Sequence, residues 1–185
     1  MAAIWPQRAW YRGRQFAAAL AATVRPLTPE ERRAALSDLP PAAWALFDGM
    51  SRADQRHSLG VMRALRQAGY AQPALTQAAL LHDCAKREGG VQLWHRVAMV
   101  LLKAFRPALL RRWMRGLAPK RGMWRYPLWA HAHHPQRGAE LAAAAGCDPL
   151  AVTLIRRHQD VLPHGAGDSQ VDRLLAALQA ADDDH

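Results

Sequence analysis

The chain is predicted to fold as an all-α domain of roughly eight to ten helices. Two observations carry this. No segment alternates apolar and polar residues over five or six positions, as a half-buried strand would. Several stretches instead repeat apolar residues at helical spacing and are bounded by caps, prolines and glycines placed as helix punctuation. With 185 residues, half of them hydrophobic, one sizeable core is within reach.

Taken in order, Gln7 to Val24 reads as an amphipathic helix following Trp5, with Trp10, Tyr11 and several arginines. Thr28-Pro29-Glu30-Glu31 starts the next: Thr as N-cap, Pro in the first turn and Glu31 completing a capping box. It should end near Pro40-Pro41, with a short helix from Ala42 to Met50. Ser51 to Ala68 follows, its inward face marked by His57, Val61, Ala64 and Leu65, and Gly69 stops it. Gln72 to Lys86 is expected as one helix, broken by Gly89-Gly90. Trp94–Phe105 and Pro107–Leu117 read as two helices separated at Pro107. Pro127–Ala132 and Pro135–Ala145 read as two more, the second capped by Gly146. Asp148 caps Pro149–His158. A loop, Gln159–Asp168, precedes the last helix, Gln170 to about Asp182. The division expected is an N-terminal helical extension, 1–49, and a main domain, 50–185, carrying a basic Trp-rich insertion at about 89–130.

Cys84 and Cys147 are too few for a disulfide framework and read as reduced thiols of a cytoplasmic protein. No apolar run reaches the ~18–20 residues that span a bilayer. Phe16–Val24 is too alanine-rich, with no clean cleavage site, to be expected as a secretory signal. The net charge of +10 points to anionic partners. It is concentrated: from Gly89 to Ala139 there is no acidic residue, against Arg96, Lys103, Arg106, Arg111, Arg112, Arg115, Lys120, Arg121, Arg125 and Arg137, with four tryptophans among them.

The chemistry centres on His82-Asp83, which closes the apolar run Ala78-Ala79-Leu80-Leu81. Adjacent helical side chains diverge by about 100°, so the two are not each other's partners. Imidazole nitrogen and carboxylate oxygen can, however, both serve one divalent cation. His57, His134 and His158 also fall on inward faces or ends of helices. Asp182 ends the apolar stripe Leu174–Ala181, where a carboxylate is costly unless paired or metal-bound.

The ordered set His57, His82-Asp83, His134, His158, Asp182 resembles the HD-domain phosphohydrolase superfamily over roughly residues 50–183. Its carriers are Asp54–Ser58, Ala79–Lys86, His134-Pro135-Gln136-Arg137-Gly138-Ala139, Ile155–His158 and Ala181-Asp182. The usual His-Asp-x-Gly-Lys has Ala85 in place of Gly. Gln159 follows His158 and no Gly-Tyr-Pro occurs, which argues against the branch that cleaves cyclic dinucleotides. The short form looks closer to small nucleotide hydrolases, including those splitting dinucleoside tetraphosphates.

The resemblance implies that His57, His82, Asp83 and Asp182 hold one metal and that His134 and His158 hold a second, with Asp83 bridging. A nitrogen-rich mixed site suits iron or manganese, with zinc, nickel or magnesium as alternatives. The activity implied is hydrolysis of a phosphoester or phosphoanhydride of a nucleotide or small phosphorylated metabolite by metal-activated water. Asp83 and Lys86 are the catalytic candidates. Lys86 either binds a substrate phosphate or pairs with Asp83, and Arg56 and Arg137 are candidate phosphate contacts. His131 and His133 are alternatives to His134 but lack its Pro-x-x-Gly-Ala context; His95 and His164 read as surface or loop residues. For the basic insertion a lid or substrate clamp ranks first, an anionic membrane surface or homo-oligomer contact second, and nucleic acid third. The competing function is a non-catalytic metal- and nucleotide-binding module that docks a membrane or partner through this insertion.

Overall fold

A computed structural model of the chain describes residues 25–86, 102, 105–115, 117–162 and 169–184. The expected helices at Gln7–Val24 and Trp94–Phe105, and His95 and His164, lie wholly or almost wholly outside these residues. The described residues form eight α-helices and a short 3-10 turn at Pro41–Ala43, with no strand. The helices are α1 (Pro29–Ser37), α2 (Trp44–Asp48), α3 (Arg52–Gln67), α4 (Pro73–Leu81), α5 (Pro107–Arg115), α6 (Tyr126–Ala144), α7 (Pro149–Arg157) and α8 (Gln170–Asp183).

The boundaries follow local chemistry. Thr28 caps α1 in a complete capping box: its hydroxyl accepts from Glu31 N–H, and Glu31 accepts from Thr28 N–H. Ser51, Asp148 and Ser169 cap α3, α7 and α8 through their side-chain oxygens. Gly69 and Gly146 end α3 and α6 at φ of 86° and 76°. Each closes a paired turn: Gly69 N–H and Tyr70 N–H donate to Arg66 and Leu65 carbonyls, Gly146 N–H and Cys147 N–H to those of Ala143 and Ala142.

Two expectations are corrected. Helix α4 stops at Leu81 rather than Lys86, and the chain continues in tighter turns, Cys84 N–H to Leu81 O and Lys86 N–H to Asp83 O. The His-Asp doublet therefore lies at the helix end, where the turns tighten. And α6 is one helix from Tyr126 to Ala144, running through Pro135 instead of breaking before it.

Packing brings five helices together. Helix α7 lies against both α6 and α4, α4 against α3, and α8 closes the group against α3, α7 and α4. One hydrophobic cluster joins them, including Leu59, Leu80, Leu81, Leu154, Ile155, Leu175 and Leu178. Ala35, Leu36, Ala43 and Phe47 of the segment before residue 50 belong to the same cluster. No helix among the described residues is long and apolar enough to cross a membrane.

Candidate metal centre

Four buried polar side chains, His82, Asp83, His134 and His158, sit where those helices converge, and the half-buried His57 and Asp182 border them. Each arrives for a local reason. His57 lies on the inner face of α3. His82 and Asp83 follow the end of α4, His158 follows the end of α7, His134 lies within α6, and Asp182 is in the last turn of α8. Gln179, one turn before Asp182, donates its amide to the carbonyls of His158 and Asp160 at 3.0 and 2.8 Å. This ties α8 to the end of α7 and fixes where Asp182 points.

The three buried histidines share one arrangement. His82 Nδ1 is 3.0 Å from Ala79 O, His134 Nδ1 2.6 Å from His131 O, and His158 Nδ1 2.7 Å from Ile155 O. A carbonyl only accepts, so each Nδ1 carries a proton and each Nε2 is the nitrogen turned toward the centre. At His82 and His158 the acceptor is a carbonyl left over at a helix end. At His134 it is created by Pro135, which has no N–H to give the carbonyl four residues back, that of His131. The freed carbonyl is taken by His134, which is one physical reason α6 passes through a proline. Such outer hydrogen bonds orient ligands and set their tautomer in metal sites.

The Nε2 atoms face Asp83, whose two oxygens look different ways. Oδ2 is 3.4 Å from His82 Nε2 and 4.0 Å from His57 Nε2; Asp182 Oδ1 completes this group at 2.7 Å from His57 Nε2 and 3.3 Å from His82 Nε2. Oδ1 is 3.2 Å from His134 Nε2 and 3.9 Å from His158 Nε2, and those two nitrogens are 3.2 Å apart. With metal–nitrogen bonds of about 2.0–2.1 Å, neighbouring ligand atoms around one ion stand about 3.0–3.4 Å apart. Two sets of facing atoms, His57/His82/Asp83 and Asp83/His134/His158, each lie within 4.8 Å of one another.

A cation fits these residues better than hydrogen bonding alone does. His82 Nε2 and Asp83 Oδ1 are buried without a hydrogen-bond partner, and the only other such side-chain atom among the described residues is Ser58 Oγ, next to His57 in sequence. His134 and His158, both protonated at Nδ1, turn two lone pairs toward each other. Unmet polar atoms at such depth cost about 1–3 kcal/mol each, and a shared cation removes that cost.

The charges are arranged accordingly. Burial opposes a proton on His82, but the carboxylates of Asp83 and Asp182 outweigh it and push its pKa up to about 9. Burial likewise opposes ionisation of Asp83, yet the charges of His82 and Lys86 hold it well below the usual carboxylate range. Asp182 is also lowered, its burial outweighed by His57 and His82. Burial, then His82 and His134, push His158 down to about 4. The metal-free centre thus keeps two ionised carboxylates beside a protonated His82 and a neutral His158, and a divalent ion would take the place of the His82 proton.

Among the other sequence candidates, Lys86 donates its ammonium to Asp83 Oδ2, so of its two expected roles the pairing is the one seen. Arg56 and Arg137 are not brought into the centre. Arg56 extends from α3 toward the start of α1, donating to Arg25 O and Pro26 O at 2.5 and 2.7 Å and pairing with Glu31 at 3.5 Å. It stands one residue before His57, hence about 100° round the helix from the inward face. Arg137 is half exposed and pairs with Glu140 on the same helix at 3.3 Å. His133 stacks on Trp129 with ring centroids 4.1 Å apart and donates to its carbonyl, and His131 stacks on His134. His134 is the buried member of the trio.

One supporting residue, Gln179, lay outside the sequence candidates. Gln179 was legible as a polar residue inside an apolar stripe. Gly138 lies one turn after His134, and a Cβ there would stand 3.4 Å from Ile155 Cγ2, 3.5 Å from Cys84 Sγ and 3.7 Å from His82 O. These are ordinary van der Waals separations, so α6 lies close to α7 and to the backbone of the doublet at this point. In the His134-Pro135-x-x-Gly138-Ala139 pattern, His134 is the buried imidazole, Pro135 frees the carbonyl that orients it, and Gly138 lies at the contact with α7 and the doublet.

No family model, no curated protein and no solved structure matches the chain. What stands on geometry alone is a buried histidine–aspartate centre able to hold a metal ion.

Proposed function

We propose that the chain is a metal-dependent phosphohydrolase of the HD type, acting on a nucleotide or another small phosphorylated metabolite. The observation that carries the reading is the double reach of Asp83, one oxygen toward His57 and His82 and the other toward His134 and His158. In this reading His57, His82, Asp182 and Asp83 Oδ2 hold one ion, and His134, His158 and Asp83 Oδ1 hold a second. When bound, such ions supply an activated water and counter-charge for a phosphate. The chain's own part is to turn its Nε2 atoms toward Asp83, to help keep Asp83 ionised through Lys86, and to exclude bulk water on the His134–His158 side. His57 and Asp182, 23% and 31% exposed, form the open side from which a substrate enters. Nitrogen-rich ligation favours iron or manganese over magnesium.

The test joins metal analysis to turnover. Protein loaded with Mn²⁺ or Fe²⁺ is assayed on nucleoside phosphates, dinucleoside polyphosphates and simple phosphoesters. Asp83→Asn is expected to lose bound metal and at least about 10³-fold in kcat/KM, the size of several kcal/mol of charge stabilisation. Undiminished hydrolysis by metal-free protein would refute the reading. Metal and nucleotide binding with no turnover of any substrate would assign the chain to the non-catalytic alternative.

A further inference from the structure

Among the described residues the large exposed hydrophobics are not scattered. Apart from Trp44 and Val161, they are Phe105, Leu109, Leu117, Met123 and Trp124, all from one short stretch. Phe105 is 75% exposed and Leu117 98%. Single exposed apolar residues are ordinary; a group of them marks an interaction surface. The stretch from Phe105 to Arg125 holds seven Lys/Arg and no acid, and Arg106, Arg111, Arg112, Lys120 and Arg121 are exposed. Leu109, Trp113, Leu117 and Met123 line a groove of about 370 Å³ rimmed by Arg112 and Arg125. Trp113 and Trp124 meet edge to face at 5.0 Å, and the Arg125 guanidinium lies 6.0 Å from the Trp113 ring centre.

We propose that this face docks the protein onto an anionic lipid bilayer. The cations meet headgroup phosphates, Trp124 sits at headgroup depth, and Phe105 and Leu117 enter the acyl boundary. Charge selects the partner's sign, since an acid-free basic face complements only an anionic surface. The aliphatic residues select among anionic surfaces. Leu109, Leu117 and Met123 offer nothing to a phosphodiester backbone and no flat ring for base stacking, whereas a bilayer takes cation and hydrocarbon together. Helix α5 packs on α6, the helix that carries His134, so the docked face and the candidate centre share one support.

The experiment uses the full chain with vesicles of phosphatidylcholine, alone or mixed with phosphatidylglycerol, at physiological salt. Binding is expected to the mixed vesicles only, and to weaken as salt rises. Arg111→Ala and Arg112→Ala should each weaken it about fivefold. Phe105→Ser combined with Leu117→Ser should weaken it at least about tenfold with net charge unchanged. Circular dichroism of each variant should match the parent. A spin label at Leu117→Cys, selective because Cys84 and Cys147 are buried, should become more accessible to oxygen than to a water-soluble nickel chelate on mixed vesicles. No vesicle binding, equal binding to neutral vesicles, or binding indifferent to Phe105 and Leu117 overturns the proposal. So does salt-sensitive binding to duplex DNA that matches the vesicle affinity and ignores both apolar residues, which would make this a nucleic-acid face.

Discussion

Helix α6 joins two regions of opposite construction. In its middle, His134 is 1% exposed and turned into a centre where every charge faces another charge or a lone pair. Just before its start, Leu117 is 98% exposed in a stretch without a single acid. Buried polar atoms must be satisfied, so the unmet His82 Nε2 and Asp83 Oδ1 constrain what belongs beside them. Exposed cations are satisfied by water whatever else they do. Their meaning has to come from company: aliphatic neighbours and missing counter-charges. The first region therefore specifies a ligand by geometry, the second a partner by composition.

The largest effect that can break this contrast is the pH dependence of the metal-free protein. His158 has its folded pKa depressed to about 4 against an ordinary 6.5. The unfolded chain therefore binds its proton first, and the stability this group provides is full above pH 6.5 and lost as pH falls toward 4. His82 works in the other sense: with a folded pKa of about 9, its contribution is full below pH 6.5 and lost as pH rises through 9. Each limb is worth on the order of 3 kcal/mol. Denaturant melts of apo protein should peak in stability near pH 6.5. His158→Asn should flatten the acid limb down to pH 4, and His82→Asn the alkaline one. Added Mn²⁺ should lift the alkaline fall, the ion replacing the proton on His82. Apo stability that rises steadily from pH 5 to 9 would show that the field around His82 is not the one described.

Next in size is Pro135→Ala. The new N–H can reach His131 O and compete with His134 Nδ1 for it, loosening the ligand's tautomer and orientation. Metal affinity is expected to fall about 10- to 100-fold, as when other outer-shell partners are removed. The same change removes a proline from a helix interior, so the apo protein should become no less stable, and more stable where the helix was strained. Opposite signs in metal titration and thermal melting are the signature. Parallel losses would mean that Pro135 serves packing and not His134.

Much of this was readable in the residues, and the reasons differ by element. Caps and stops at Thr28, Ser51, Gly69, Gly146 and Asp148 act within four or five residues, so local sequence determines them. The choice of His134 over His131 and His133 was legible because Pro135 acts on that one position. The end of α4 at Leu81 was not: it depends on what the doublet faces across the core. Nor was the continuity of α6, because a proline's cost is local while the compensating hydrogen bond comes from the neighbouring side chain. The candidate ligand set was legible as residue types in order. That Asp83 divides its oxygens between two groups was implied only through resemblance, and its geometry needed the helices in place.

The smallest effect sharpens the contrast where sequence reading misplaced a charge. Arg56 stands beside a candidate ligand and looks like a phosphate contact, yet its fork closes on the carbonyls of Arg25 and Pro26 and on Glu31. Arg56→Ala is expected to cost about 1–2 kcal/mol of stability, the range for charge-assisted hydrogen bonds at a partly exposed site. KM for any phosphorylated substrate should stay within about twofold. Arg56→Lys separates the two roles. An ammonium keeps the charge but cannot span two carbonyls and a carboxylate as a planar fork does. A phosphate contact would be largely rescued by lysine in KM; the anchoring of α1 would remain impaired in the melt. Loss confined to stability, in both variants, places the arginine with the scaffold and not with a phosphate.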